Sequence, residues 1–313
     1  MNRSALTQDI PTARDVDRAA ERIGNHVRRT RLAHSPDLDH VLGRTTLLKC
    51  ENEQWGGAFK ARGACNAVLA AEPARIAGGV ATHSSGNHAA ALARAAGLVG
   101  VTATVVMPRN APAVKRQAAE AAGARVIPCA PTQQAREETL ERVVKENGAT
   151  VIHPYADADV IAGQGTVGLE LMGELRAEDT VVVPLGGGGL ISGISLLLAE
   201  RAPGVRVVGV EPAGADDALR SFRAGRVMPV QPDTIADGLR ATVGKINLAI
   251  IRQYVSEIVT VTDAEILAAL ELVEGCHDMP LEPSGVVGVA ALASSAVAGH
   301  GRAVVVITGG NRD

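Results

Sequence analysis

Residues 181–193 read Val181-Val-Val-Pro-Leu-Gly186-Gly187-Gly188-Gly189-Leu190-Ile-Ser-Gly193, a β-branched run that enters four glycines and leaves into an apolar stretch. A strand feeding a helix through such a turn is the mark of an α/β protein with parallel strands. Four consecutive residues without Cβ let backbone N–H groups converge on an anion at a helix N-terminus, where the aligned peptide dipoles also favour negative charge. The stretch predicts a phosphate site at the carboxyl end of a strand, the usual ligand edge of an open parallel sheet. A floppy strand–helix turn is the alternative, and the unfolded-state entropy of four glycines weighs against it.

The same alternation repeats on both sides of that turn. Strands are predicted over 102–107, 180–185, 205–210 and 303–307, and their apolar content on both faces suits parallel strands covered by helices. Helices are predicted over 87–96, closed by Gly97, over 113–122, closed by Gly123, and over 263–274, with Thr262 at the cap position and Gly275 following. Residues 78–152 carry their own alternation, with strands at 79–82, 102–107 and 125–127. This predicts a two-lobed fold: a small domain of 78–152 inserted into a large one made of 1–77 and 153–313, each an open, mostly parallel sheet flanked by helices, with the ligand cleft between them.

Composition narrows the function. The 313 residues carry 31 Lys+Arg against 34 Asp+Glu, a net charge of −3, and only 2% aromatics, so nothing offers nucleic acid a basic patch or a stacking platform. No apolar run reaches the ~18 residues that span a bilayer, and the polar N-terminus is unlike a signal peptide; a cytoplasmic protein with no membrane partner is expected. Cys50, Cys65, Cys129 and Cys276 are scattered, as core thiols are, without the spacing of a disulfide framework or a zinc site.

Glu211 lies 22 residues after Gly189 and looks like the ribose ligand of a dinucleotide site, but the glycine spacing fails, because the third position falls on Ser192 or Ile191. The Walker pattern is absent too, since Gly244-Lys245 runs into Ile246. A second signal is Glu53-Gln-Trp55-Gly-Gly-Ala-Phe59-Lys60-Ala-Arg62-Gly63-Ala64, which sets a lysine at a glycine-rich turn before an apolar helix. Partly desolvated there, its amine becomes available for carbonyl chemistry; a solvated surface lysine is the plainer reading. A third is Thr82-His83-Ser84-Ser85-Gly86-Asn87-His88, able to cap the next helix or to grip a carboxylate. A serine hydrolase is disfavoured, because the G-x-S-x-G elbow is missing.

Taken together, the Phe59-Lys60 segment, Ser84-Ser-Gly-Asn-His88, Gly186–Gly189 and Ile307-Thr308-Gly-Gly-Asn311 resemble the fold-type II pyridoxal-phosphate enzymes. The segments 153–166 (His153-Pro-Tyr through Gln164-Gly-Thr166), 235–240 and Leu281-Glu282-Pro-Ser-Gly285 resemble its threonine/serine dehydratase and serine racemase branch. The resemblance implies that Lys60 carries the cofactor aldehyde as a Schiff base and then removes the substrate's Cα proton. It implies that Phe59, Asn87, Glu282 and Thr308 contact the cofactor, that Gly186, Gly187, Gly188, Gly189 and Leu190 hold its phosphate, and that Thr308 meets the ring nitrogen with a neutral hydroxyl. Ser84, Ser85, Gly86 and His88 become the substrate-carboxylate loop, and Ser85 the second acid/base of members that racemise. Glu211, the Ala215 carbonyl and Asp217 fall at the spacing of a Mg²⁺ or Ca²⁺ site, with an acidic loop capping the next helix as the alternative.

Two departures stand out. Trp55-Gly56-Gly57-Ala58 replaces the usual Pro-Thr-Gly-Ser or Pro-Thr-Gly-Ala before Phe-Lys, and Thr308 stands where racemases have Ser. The end of the chain at Asp313 predicts no regulatory domain and no feedback by a branched-chain amino acid. The expected function is dehydration of a small β-hydroxy amino acid (serine, threonine or 3-hydroxyaspartate) to a 2-keto acid and ammonia, by a homodimer. Racemisation by Lys60 and Ser85 is the alternative. From other classes come a nicotinamide-dependent oxidoreductase and a metabolite-binding protein without chemistry. Arg136, in Gln134-Ala-Arg-Glu-Glu138, is a candidate for a second carboxylate, with an exposed helix position the plainer reading.

Overall fold

The computed structural model describes residues 10–84, 86–111, 113–299 and 301–312. Its strands are β1 (Leu32–His34), β2 (Thr46–Cys50), β3 (Val80–His83), β4 (Ala103–Pro108), β5 (Ala124–Cys129), β6 (Thr150–Val151), β7 (Thr180–Pro184), β8 (Arg206–Pro212), β9 (Glu257–Val261) and β10 (Ala303–Ile307). They form two sheets. One has the order β1-β2-β10-β7-β8-β9, parallel except for the antiparallel β1 edge; the other, β5-β4-β3-β6, is parallel throughout. The strands of the smaller sheet all lie between residues 80 and 151.

Period-two alternation explains the layers. Val181, Val183, Val304 and Val306 point to one face of the larger sheet, where they meet the helix Gly189–Arg201; Val182, Val208 and Val305 point to the other and meet the helix Val287–Ala293. All are fully buried, and each such valine contributes roughly 1.5–3 kcal/mol over an exposed one. In the smaller sheet Ala103, Val105 and Met107 face the helices Asn87–Leu98 and Ala113–Ala121, while Val106 faces the helix Gln133–Asn147.

The predicted strands are present, shifted by a residue or two at their ends, and 303–307 coincides with β10. Two predicted helix ends are corrected. Gly97 and Gly275 lie inside the helices Asn87–Leu98 and Asp263–Cys276, and the left-handed residue after the first is Gly100, at φ +72°. Gly123 does take φ +95° beyond Ala121, and Thr262 makes a full capping box with Glu265.

Close helix crossings set the core around the site. The helix Lys60–Ala70 packs on Ala158–Leu171, which packs in turn on Gly189–Arg201. A Cβ on Gly63 would fall 2.4 Å from Gln164 Nε2, and one on Gly193 would fall 2.3 Å from the Ile161 carbonyl oxygen. Beneath the first crossing is a buried ionic cluster: Arg62 binds Glu51 and Glu170, both at 2.7 Å, and Lys49 binds Glu170 at 2.5 Å.

Candidate active site

Each functional segment follows the carboxyl end of a strand. After β2 the chain turns through Trp55–Gly57, and an isolated bridge from Ala58 to Gly309 ties it to the segment after β10. The Phe59 amide donates to the Thr308 carbonyl at 3.2 Å, which delivers Lys60 as the first residue of its helix. The Lys60 ammonium donates to the Pro154 carbonyl at 2.9 Å and sits 5.0 Å from the centre of the Phe59 ring. Among the described residues no carboxylate balances it, so desolvation pushes its pKa down to about 8 although the side chain is only half-buried.

The Gly186–Gly189 loop follows β7 and opens the helix Gly189–Arg201, with Gly188 in the left-handed region at φ +91°. The whole turn is buried and, among the described residues, has no side-chain cap. A buried helix start leaves its first N–H groups without intrahelical acceptors, a cost that an anion removes. The loop lies tight under Tyr155: a Cβ on Gly187 would sit 2.4 Å from the Tyr155 ring, and one on Gly189 3.0 Å from its Cα. Pro154 and Tyr155 therefore join the glycine turn to Lys60. The amide-lined turn and the amine of lowered pKa fit a phosphate-bearing aldehyde.

The segment after β3 closes the site. The Ser84 amide donates to the Val106 carbonyl at 3.2 Å, and the Ser84 hydroxyl accepts from the Gly86 amide at 3.3 Å. Ser85 lies outside the described residues. Asn87 donates to both oxygens of Glu282, at 3.2 and 3.3 Å, and accepts from Asn311, which also donates to the Gly56 carbonyl. Burial first of all pushes Glu282 up to about 7. Thr308 is buried, its hydroxyl 3.4 Å from the Ser284 carbonyl. Leu190 packs into the core. His88 turns inward, with Nε2 3.4 Å from the Ile152 carbonyl and, among the described residues, no partner on Nδ1; burial holds it well below the ordinary imidazole range. Trp55 is nearly buried under the Arg94 guanidinium and still lines a cavity of about 310 Å³ with Gly56, Gly86 and Asn87.

Sequence reasoning passed over His83 and His153 as site residues. The His153 ring stands edge-on to Tyr155 at 4.5 Å and to His83 at 6.1 Å. Its Nδ1 accepts from the Ala156 amide at 3.0 Å, and desolvation pushes its pKa down to about 4. The imidazole is therefore neutral, with its proton on Nε2. In the sequence the His-Pro-Tyr triplet carries only a resemblance; the fold brings its proline carbonyl to the Lys60 ammonium.

The acidic segment stands apart. Both Glu211 oxygens accept from the helix Asp217–Ala224, through Ala218 at 3.1 Å and Leu219 at 2.8 Å, which is the capping geometry. Asp217 accepts from the Val243 amide at 2.8 Å through Oδ2, while its buried Oδ1 has no partner among the described residues. Ala215 is buried beside them. Desolvation raises Glu211 to about 9 and Asp217 to about 6.

Fold and site together define an α/β protein of two parallel sheets, with a lysine amine and an amide-lined anion cradle at their strand ends. The profile described as pyridoxal-phosphate dependent enzyme matches residues 23–309, and the chain belongs to that family. The β-hydroxyaspartate dehydratase of Paracoccus denitrificans (strain Pd 1222) is 45% identical, with 97% of each chain covered. Among solved structures, maize serine racemase superimposes with a TM-score of 0.94 at 38% identity, covering 97% of this chain and 94% of that one. The T.th. threonine deaminase gives a TM-score of 0.91 at 40% identity over 97% and 99%.

Proposed function

We propose that this protein is a pyridoxal-phosphate-dependent dehydratase, which converts a small β-hydroxy amino acid to a 2-keto acid and ammonia. The observation that carries the proposal is the Lys60 amine, desolvated and without a carboxylate among the described residues, joined through Pro154 and Tyr155 to the glycine turn. Relatives that are a dehydratase and a threonine deaminase support it. Bound there, the cofactor supplies an electrophilic aldehyde and a conjugated ring that accepts charge from the substrate's Cα.

The amides of Gly186 to Leu190 take the phosphate, and the helix behind them adds its dipole. Thr308 offers a neutral hydroxyl to the ring nitrogen, while Asn87, held by Glu282, presents its amide to the ring oxygen. Ser84, Ser85, Gly86 and the N-terminus of the helix Asn87–Leu98 bind the substrate carboxylate. With the cofactor bound, the Lys60 amine would take the Cα proton and return it to the β-hydroxyl, which would leave as water, so that hydrolysis of the product would give the keto acid and ammonia. The near-neutral pKa of Lys60 suits that proton transfer. Racemisation, supported by the likeness to maize serine racemase, would use Ser85 as the second acid/base beside Lys60.

The same proposal includes a Mg²⁺ or Ca²⁺ ion on Glu211, the Ala215 carbonyl and Asp217. The orphaned Asp217 Oδ1 and two desolvated carboxyls suit a hard cation. It also takes residues 78–152 as the smaller lobe, and the protein as a cytoplasmic homodimer, the commonest oligomer. Purified protein should show a visible absorbance band that borohydride bleaches and that Lys60→Ala abolishes. L- and D-serine, L-threonine and 3-hydroxyaspartate should then be scored for keto acid against enantiomer. Keto acid from none of them, with the band intact, overturns the dehydratase reading. Added Mg²⁺ should raise the Tm of the wild type and not that of Asp217→Asn.

A further inference from the structure

The third residue of the helix Lys245–Tyr254, Asn247, is wholly buried against the glycine turn. Its amide does not serve its own helix, whose start has no side-chain cap among the described residues. Instead Nδ2 donates to the Tyr155 carbonyl at 2.9 Å and to the Ser192 hydroxyl at 3.3 Å, groups 92 and 55 residues away in the chain. Both acceptors belong to the walls of the turn. Tyr155 lies tight on Gly187 and Gly189, and the Ser192 amide closes the first helical bond after the turn, on the Gly188 carbonyl at 3.0 Å.

The backbone is shaped to receive this side chain. Gly188, the left-handed residue of the turn, would bring a Cβ to 2.9 Å from the Asn247 Cβ, and Gly244 would bring one to 2.2 Å from Asn247 Oδ1. The segment is also pinned, because the Gly244 amide donates to the Gly187 carbonyl at 3.2 Å and the Val243 amide to Asp217. Packing alone does not account for an amide at this position. Asn247 Oδ1 is buried with no partner among the described residues, a cost to stability that an apolar side chain avoids. What an apolar side chain lacks is a donor that joins Tyr155 to Ser192.

We infer that Asn247 is a positioning residue for the cofactor phosphate: by tying the Tyr155 carbonyl to Ser192, it fixes the spacing at which the N–H groups of Gly186 to Leu190 meet the anion. The inference rests on the reading of that turn as a phosphate cradle. An anion gains full hydrogen bonds from several N–H groups only when all are aimed in advance, since a turn that must first tighten offsets part of the gain. Asn247 acts through the turn. The aldehyde end of the cofactor depends instead on Lys60, so the two ends can be tested apart.

The test measures the dissociation constants of pyridoxal phosphate and of pyridoxal, which has the aldehyde but not the phosphate, for cofactor-free wild type, Asn247→Ala and Ser192→Ala. Asn247→Ala should bind pyridoxal phosphate about 10-fold more weakly and pyridoxal within about twofold of wild type, and Ser192→Ala, which keeps the Tyr155 bond, should fall between. Inorganic phosphate should raise the Tm of the cofactor-free wild type more than that of Asn247→Ala. Asn247→Asp keeps the shape of the side chain while replacing the donor with an acceptor, and it decides by the same two constants if Asn247→Ala does not melt cooperatively. Equal losses on both aldehydes, no loss on either, or an equal phosphate shift in the two proteins would each overturn the inference and leave the dehydratase reading standing. A wild type that binds pyridoxal phosphate no more tightly than pyridoxal brings down the cradle reading itself.

Discussion

At the scale of single residues, burial sets the chemistry through two cations on one helix. Lys60 and Arg62 are two positions apart, yet one is desolvated without a carboxylate among the described residues and the other is clamped by two. The free amine is the form that attacks an aldehyde. Uptake of pyridoxal phosphate by cofactor-free protein should therefore accelerate as pH rises toward about 8 and level off above it, followed by growth of the visible band. A rate still climbing above about pH 10 would mean an ordinary, hydrated lysine. Arg62 has the opposite task. Its charge holds the buried Glu51 ionised, against the burial that would raise its pKa. Arg62→Ala strands that carboxylate and should cost about 3–5 kcal/mol in urea unfolding. The double variant Arg62→Met with Glu51→Gln removes both charges and should regain most of the loss.

At the scale of elements, two helix glycines make opposite predictions. Gly193 faces the Ile161 carbonyl at a distance where no Cβ fits, and backbone cannot swing aside as a side chain can. Gly193→Ala should destabilise by roughly 1–3 kcal/mol. Gly97 has open space around its missing Cβ and lies within a helix, so Gly97→Ala should stabilise by roughly 0.5–1 kcal/mol, and thermal melts of the two variants should shift in opposite directions. The same glycine marks where the sequence was misleading. A helix-ending glycine is recognised by its neighbours in the chain, and Gly97 has the right ones; what carries the helix past it is that Gly100, three residues on, takes the left-handed turn. Elements with a local pattern were legible: β10 from its unbroken β-branched run, the glycine turn from four adjacent residues, and Lys60 from the turn before an apolar helix. Contacts between distant segments were not. Arg62 meets Glu170 across 108 residues, and the contact of Lys60 with the Pro154 carbonyl, across 94, depends on how β6 leads its following loop back to the larger sheet. Nothing in the order of the residues encodes either distance.

At the scale of the whole molecule, polar ties join the elements of the two sheets beside the apolar packing of the helix Lys60–Ala70 on the helix Asn87–Leu98. Asn87, at the start of a helix over the smaller sheet, binds Glu282 and Asn311, which flank the larger one, and Lys115 pairs with Asp237 nearby. Glu282 is central to these ties, since it also accepts from the Asn311 amide at 3.1 Å and leaves Gly309 no room for a Cβ. Its pKa rises in the fold from an ordinary 4.5 to about 7, chiefly by burial. Between those values the folded protein holds a proton that the unfolded chain has released, so the contribution of this residue is fully present below about pH 4.5 and is lost as pH rises to about 7. The loss is at most about 3 kcal/mol at about 1.36 kcal/mol per pKa unit. Glu282→Gln carries no titrating group at this position. The stability of the wild type relative to this variant should therefore fall across about pH 4.5–7 and run parallel above it, measured by denaturant unfolding of cofactor-free protein. A difference that stays flat across this range would mean that Glu282 is solvated and that the contact between the two sheets is more open than the structure has it.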